Sequence, residues 1–238
     1  MAKEITRSEA LDLLKAYNQE PFHLQHGETV SAVMGWYAHK LGYGDERTFW
    51  ELVGLLHDLD YEKWPEQHCE KTREIMESLD LDPRLIRAVV SHGYGHRNDV
   101  KPEHEMEKVL YATDELTGLI GAVALIHPNK QVGEVSLKSL KKKYKTLNFA
   151  AGCSRDVIEK GAEMLGWPLE QRLSDTLDAM KWYEAQHASG LPGHFTGRRG
   201  RAGGDAHTDR GGPGLHPPVF APGAARFAGG RPRVPGPL

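Results

Sequence analysis

The sequence predicts an all-α fold, an irregular helical bundle, on three observations. Apolar residues recur at three- and four-residue spacings over long stretches. Helix start and stop signals separate those stretches. No segment alternates β-branched and polar residues over strand length, Val132 to Val135 being the one weak candidate.

The elements follow in order. Thr6 with Glu9 makes a capping-box pattern, and Leu11, Leu14 and Tyr17 continue the face until Pro21 ends it. A second helix is predicted from about Leu24 to Leu41, with Val30, Val33, Met34, Tyr37 and Leu41 on one stripe, closed by Gly42 and Gly44. A third spans about Glu46 to Leu59 and contains the apolar run Leu52-Val53-Gly54-Leu55-Leu56. After Pro65 a fourth runs from about Glu66 to Leu79. Asp82-Pro83 then reads as N-cap and first turn of a helix to about His92, broken by Gly93 and Gly95. Glu103 to Ile126 is a long helix stopped before Pro128. Weaker helices follow at about Val135 to Tyr144, Ser154 to Leu165 and Leu169 to His187.

Composition divides the chain. The last 49 residues hold 13 of the 26 Gly and 8 of the 14 Pro, and their basic residues other than His are all Arg. Such a segment cannot bury enough apolar surface to offset the entropy of ordering it. Residues 1–189 are therefore expected to be the folded domain, and 190–238 a disordered Gly/Pro/Arg-rich tail. The tail carries seven Arg against Asp205 and Asp209, so the overall charge of −3 leaves the domain at −8. An acidic domain argues against general nucleic-acid binding. Cys69 and Cys153 lie far apart and outside any C-x-x-C spacing, which argues against a disulfide framework or a thiolate zinc site. The N-terminal text has no apolar signal core, and no stretch approaches a membrane span, so a soluble cytoplasmic protein is expected.

The chemistry concentrates at four residues. With 13 His and 13 Asp, chance gives about 0.7 His-Asp neighbours, so the pair His57-Asp58 means nothing alone. Its setting matters: it closes the apolar run Leu52 to Leu56. Burying an imidazole and a carboxylate is costly unless each has a partner, and a divalent cation is one such partner. A buried hydrogen-bonded pair is the plainer alternative. His26 lies on the apolar stripe with Val30, Val33, Tyr37 and Leu41, where a core histidine is also common. Asp114 sits mid-helix amid Leu110, Thr113, Thr117 and Gly121, where a bare carboxylate should not be buried. Two neutral imidazoles and two carboxylates balance a divalent charge.

The order His, His-Asp, Asp resembles the HD-domain superfamily of metal-dependent phosphohydrolases (HDIG-type hydrolases). The similar text includes His26-Gly27-Glu28-Thr29-Val30, GLLHDLDYE from Gly54 to Glu62, SHG from Ser91 to Gly93 and DELTGLI from Asp114 to Ile120. The likeness covers roughly Phe22 to Met180. It implies that His26, His57, Asp58 and Asp114 bind one divalent metal, with Mn, Fe, Co, Ni, Zn and Mg all open. Some members of the superfamily bind a second metal bridged by the first Asp. Here His68 and His92 are the candidates, though His68, on a charged stretch, reads equally as a surface residue. The resemblance also assigns proton handling to an acidic residue just after the pair, Glu62 first and Asp60 second, each otherwise an ordinary helix-end residue. The implied substrate is a nucleotide or another small phosphate ester, and its phosphate calls for positive charge. Lys138 and Lys142, in a run otherwise read as a solvated face, and His96, otherwise an exposed loop residue, are the candidates to touch it. Two other readings use the same residues. One is a di-iron oxygenase on the same fold, requiring both His68 and His92 as ligands. The other is a non-catalytic module that binds metal or nucleotide. The expected partners are a small phosphorylated substrate and neither membrane nor nucleic acid.

Overall fold

The computed structural model describes residues 2–188, so the expected tail falls outside the described residues. The described residues form nine α-helices and no strand. In order they are α1 (Arg7–Tyr17), α2 (Pro21–Lys40), α3 (Arg47–Leu56), α4 (Glu70–Ser78), α5 (Pro83–Ser91), α6 (Glu105–Leu125), α7 (Leu137–Tyr144), α8 (Arg155–Leu165) and α9 (Leu169–Ala188). The described residues are all-α, and the segment Val132–Glu134 is a short 3-10 turn rather than a strand.

Local signals set most boundaries. The Thr6 hydroxyl accepts from the Glu9 amide while the Glu9 carboxylate accepts from the Thr6 amide. Asp82, Ser136 and Ser154 cap α5, α7 and α8 through side-chain oxygens. Pro21 begins α2 instead of merely ending α1, because a first-turn position has no intrahelical use for the missing N–H. The expected third helix stops at Leu56, leaving His57 and Asp58 in a chain of turns up to Lys63. The expected fourth is split: a 3-10 turn at Pro65–Gln67 precedes α4, with Cys69 between them at φ +69°.

The core centres on α2, which packs along α3 and against α6 and α9. Val30, Val33, Met34 and Tyr37 are fully buried, and removing each from water contributes about 1.5–3 kcal/mol. The crossing of α2 and α3 is very close. A Cβ on Gly54 would lie 2.8 Å from both the Ser31 Cα and the Val30 carbonyl oxygen, so only glycine fits. On the far side, α6 packs on α8 at Gly161, where a Cβ would meet the Ala112 backbone.

One buried charge lies away from these crossings. Arg172 of α9 has no exposed surface, and its guanidinium sits 5.1 Å from the Tyr37 ring centre and 5.3 Å from that of Trp167. None of its nitrogens has a hydrogen-bond partner among the described residues. Asp175, one turn on, gives one oxygen to Lys40 at 2.5 Å, and its other oxygen is unpartnered. No described helix is long and apolar enough to cross a membrane.

Candidate metal centre

Five segments deliver side chains to one place. His26 comes from the second turn of α2, His57 and Asp58 from the turn after α3, His68 from the segment before α4, His92 from the end of α5, and Asp114 from the middle of α6. The turn carrying His57 and Asp58 is tied to α1 by the buried Asn18, whose amide donates to the Leu59 carbonyl at 2.9 Å.

His26, His57, Asp58 and Asp114 converge on one point. His26 Nε2 lies 3.0 Å from Asp114 Oδ1, 3.1 Å from His57 Nε2 and 3.6 Å from Asp58 Oδ2. His57 Nε2 lies 3.3 Å from Asp114 Oδ1 and 3.5 Å from Asp58 Oδ2. A cation about 2.0–2.2 Å from each ligand spaces them about 3.0–3.5 Å apart, so these edges fit a common ion. The His57 ring is oriented by its Nδ1–H, which donates to the Gly54 carbonyl at 2.8 Å. Its Nε2 therefore presents a lone pair to the cluster.

Asp58 faces two ways. Its other oxygen, Oδ1, lies 3.4 Å from His68 Nε2 and 3.6 Å from His92 Nε2, and those two nitrogens are 2.9 Å apart. Both rings are fixed from behind. His68 Nδ1–H donates to Asp60 Oδ1 at 2.7 Å, and His92 Nδ1–H donates to the Val89 carbonyl. Neutral rings held in this way point two lone pairs at each other, which is repulsive unless a cation or an extra proton lies between them. The donor set thus fits a metal ion on either side of Asp58.

The electrostatics agree. Burial opposes ionisation of Asp58 and Asp114, yet neighbouring imidazoles, His57 foremost, hold both well below the usual carboxylate range. Burial likewise opposes a charge on His68, but its hydrogen bond to Asp60 brings the pKa up to about 9. The anionic oxygens thus draw positive charge, which a proton on His68 supplies and a metal ion would supply in its place. The two sides differ in access. The side chains of His26, Asp58 and Asp114 are 15–21% exposed, whereas His68 and His92 are 7% and 4% exposed.

Other expected residues stand elsewhere. Glu62 makes no hydrogen bond or ion pair to a cluster residue; its Oε2 accepts from the Gln19 and Glu20 amides at 2.9 and 3.0 Å, bracing the α1–α2 turn. Asp60 is fully buried and committed, accepting from His68 and from the Thr72 amide, so it positions His68 and cannot serve as base. The surface reading of His68 is overturned by its burial. Lys138 and Lys142 are exposed on α7, and His96 is exposed in the loop after α5; none makes a hydrogen bond or ion pair to a cluster residue. A surface cleft of about 740 Å³ beside α4 and α5 contains no cluster residue either.

The sequence reading missed three groups. Cys69 places Sγ 3.9 Å from His92 Nε2, so a thiol lies beside the candidate metal positions. Burial opposes its ionisation, but the adjacent His92 and His68 bring the thiol down to about 6. Cys153, by contrast, is pushed up to about 12 by burial and the nearby Glu115. Glu115 is itself raised to about 7 by burial and the Asp114 charge, and it accepts from the Ser154 amide at 3.0 Å. Tyr61 sets its ring edge-on to His68 at 5.1 Å and feels the charges of Asp58 and Arg97. The doublet His68-Cys69 was the one available signal for the thiol. No family model matches the chain, and neither a curated protein nor a solved structure matches it.

Proposed function

We propose that the chain is a metal-dependent phosphohydrolase of the HD-domain type, acting on a nucleotide or another small phosphate ester. The observation that carries this reading is the double engagement of Asp58, one oxygen among His26, His57 and Asp114 and the other between His68 and His92. Divalent cations held by these six residues would supply Lewis-acid polarisation of a phosphoryl oxygen and a lowered pKa for a water molecule.

The chain's own contributions follow from its contacts. Gly54, Asp60 and Val89 hold three imidazoles in the tautomer whose Nε2 faces inward. Closed packing keeps bulk water from His68 and His92, while the His26 and Asp114 side stays open to a substrate. Arg97, exposed and acting electrostatically on the Tyr61 hydroxyl together with Asp58, joins Lys138, Lys142 and His96 as a candidate to steady a phosphate.

The convergence of His68 and His92 on Asp58 also suits a di-iron oxygenase, so oxygen consumption by iron-loaded protein is measured alongside hydrolysis. The deciding experiment pairs metal content by elemental analysis with hydrolysis rates across a nucleotide panel, for wild type and Asp58→Ala. Wild type is expected to bind divalent metal and hydrolyse at least one nucleotide; Asp58→Ala is expected to fold and lose both properties. Wild type that takes up no divalent metal, or Asp58→Ala with full activity, ends the hydrolase reading.

A further inference from the structure

The two sides of Asp58 do not offer the same chemistry. Around Oδ2 every donor is an imidazole nitrogen or a carboxylate oxygen. Around Oδ1 a sulfur joins them. His68, Cys69 and His92 each offer one ligand atom, and the three atoms lie within 4.8 Å of one another. The two nitrogens and Asp58 Oδ1 supply three corners of a coordination shell, with edges of 2.9, 3.4 and 3.6 Å. A fourth corner is needed, and the Cys69 Sγ stands 3.9 Å from His92 Nε2. For a tetrahedral zinc with Zn–S about 2.3 Å and Zn–N about 2.0–2.1 Å, the S···N edge is about 3.6 Å.

The surroundings keep the sulfur there. Cys69 sits with φ +69° just ahead of α4, so its side chain turns toward His92 and away from the charged face that follows. A Cβ on Gly93, the residue after His92, would approach the Cys69 Sγ to 2.6 Å. Glycine at that point leaves the volume the sulfur occupies. His68 and His92 are both buried with Nε2 aimed into the same space, so the sulfur is not an isolated thiol but one of three clustered donors, two of which also face Asp58 Oδ1.

We propose that Cys69 is a thiolate ligand of the cation held between His68, His92 and Asp58 Oδ1, making this position selective for zinc, cobalt or iron over magnesium and manganese. The inference rests on the metal-binding reading above. On binding, the Cys69 S–H bond breaks, its proton passes to solvent and a sulfur–metal bond forms, with no change in oxidation state. Thiolate favours the softer ions, whereas the His26 side, with two carboxylate oxygens and two imidazoles, accepts harder ones. The molecule is then built for two unlike ions: one retained in the closed pocket, one exchangeable at the open face.

The test loads the full chain with cobalt and with zinc, and compares wild type with Cys69→Ser, Cys69→Ala and Cys153→Ser. Wild type and Cys153→Ser are expected to show a thiolate-to-cobalt charge-transfer band in the near ultraviolet. X-ray absorption of the zinc form is expected to show a sulfur neighbour at about 2.3 Å. Both Cys69 variants should lose the band and the sulfur scatterer and bind the second zinc at least tenfold more weakly, with manganese affinity unchanged. Circular dichroism shows whether each variant is folded, and the near-isosteric serine stands in if alanine is not. Two bound equivalents with no sulfur neighbour, or a band lost with Cys153 instead, overturn the thiolate and leave the hydrolase reading intact. A chain that binds no metal at all overturns both.

Discussion

The centre around Asp58 and the aromatic surround of Arg172 both take ionisable groups largely out of water, and they meet the cost differently. At Asp58 the groups are electron-pair donors gathered on shared points, three of the four imidazoles braced from behind by a carbonyl or carboxylate. At Arg172 a cation lies against two aromatic rings that also stack on each other, with no hydrogen-bond acceptor for its N–H groups among the described residues. The first arrangement is incomplete without a positive ion. The second already contains one and does nothing with it. A buried group whose bonding capacity is aimed at a common centre speaks of a ligand; one whose capacity is scattered speaks of packing.

Three substitutions press on that difference. The largest effect is expected from His92→Ala, which takes a donor from the closed position. Metal per chain should fall by about one equivalent and hydrolysis should lose most of its rate, whereas a chain that binds a single ion at the open face would keep both. Elemental analysis beside a rate assay decides between them. Next is Arg172→Met, which preserves length and apolar stem. Exchanging a buried charge for a well-packed apolar group is often stabilising by about 1–4 kcal/mol, and the lost ring contacts return part of that, so a net gain of about 1–2 kcal/mol is expected in thermal or urea unfolding. A loss of the same size would show that the aromatic surround holds its cation favourably. The smallest effect is expected at an exposed charge. Asp82→Ala removes the cap of α5 and should cost about 1 kcal/mol. Its hydrogen bond to Arg84 lowers the Asp82 pKa from 3.8, so the cap's contribution is present above that value and fades as the pH falls through the folded pKa. Stability of wild type and variant should therefore converge in acid.

What could be read from the text alone follows the same physics. His26, the His57-Asp58 pair and Asp114 stood out because each interrupts an apolar face, and burial of a polar group is visible as a break in a hydrophobic pattern. The all-α character was visible for the same reason. The bracing role of Glu62 was not legible because its partners, the Gln19 and Glu20 amides, are more than forty residues away and leave no local mark. Cys69 was hidden by a charged neighbourhood: the left-handed backbone that turns it inward has no counterpart in hydropathy. Arg172 looks in sequence like any arginine on a mixed helix, since one of its two rings, Tyr37, comes from far off in the chain.

The α2–α3 crossing bears on how much drift this centre can tolerate. Gly54 sets its backbone against the Ser31 Cα and the Val30 carbonyl oxygen, and those backbone atoms cannot repack to absorb a change as the Met34 side chain beside them can. His57 follows three residues later and takes its ring orientation from the Gly54 carbonyl itself. The contact acts as a fulcrum, with His26 on one arm and His57 on the other. Metal–ligand distances are held to roughly ±0.2 Å, so a shift of a few tenths of an ångström at the fulcrum would register as lost affinity before it registered as lost stability. Alignment of the centre is thus inherited from a helix crossing, and a single methyl group is enough to spoil it.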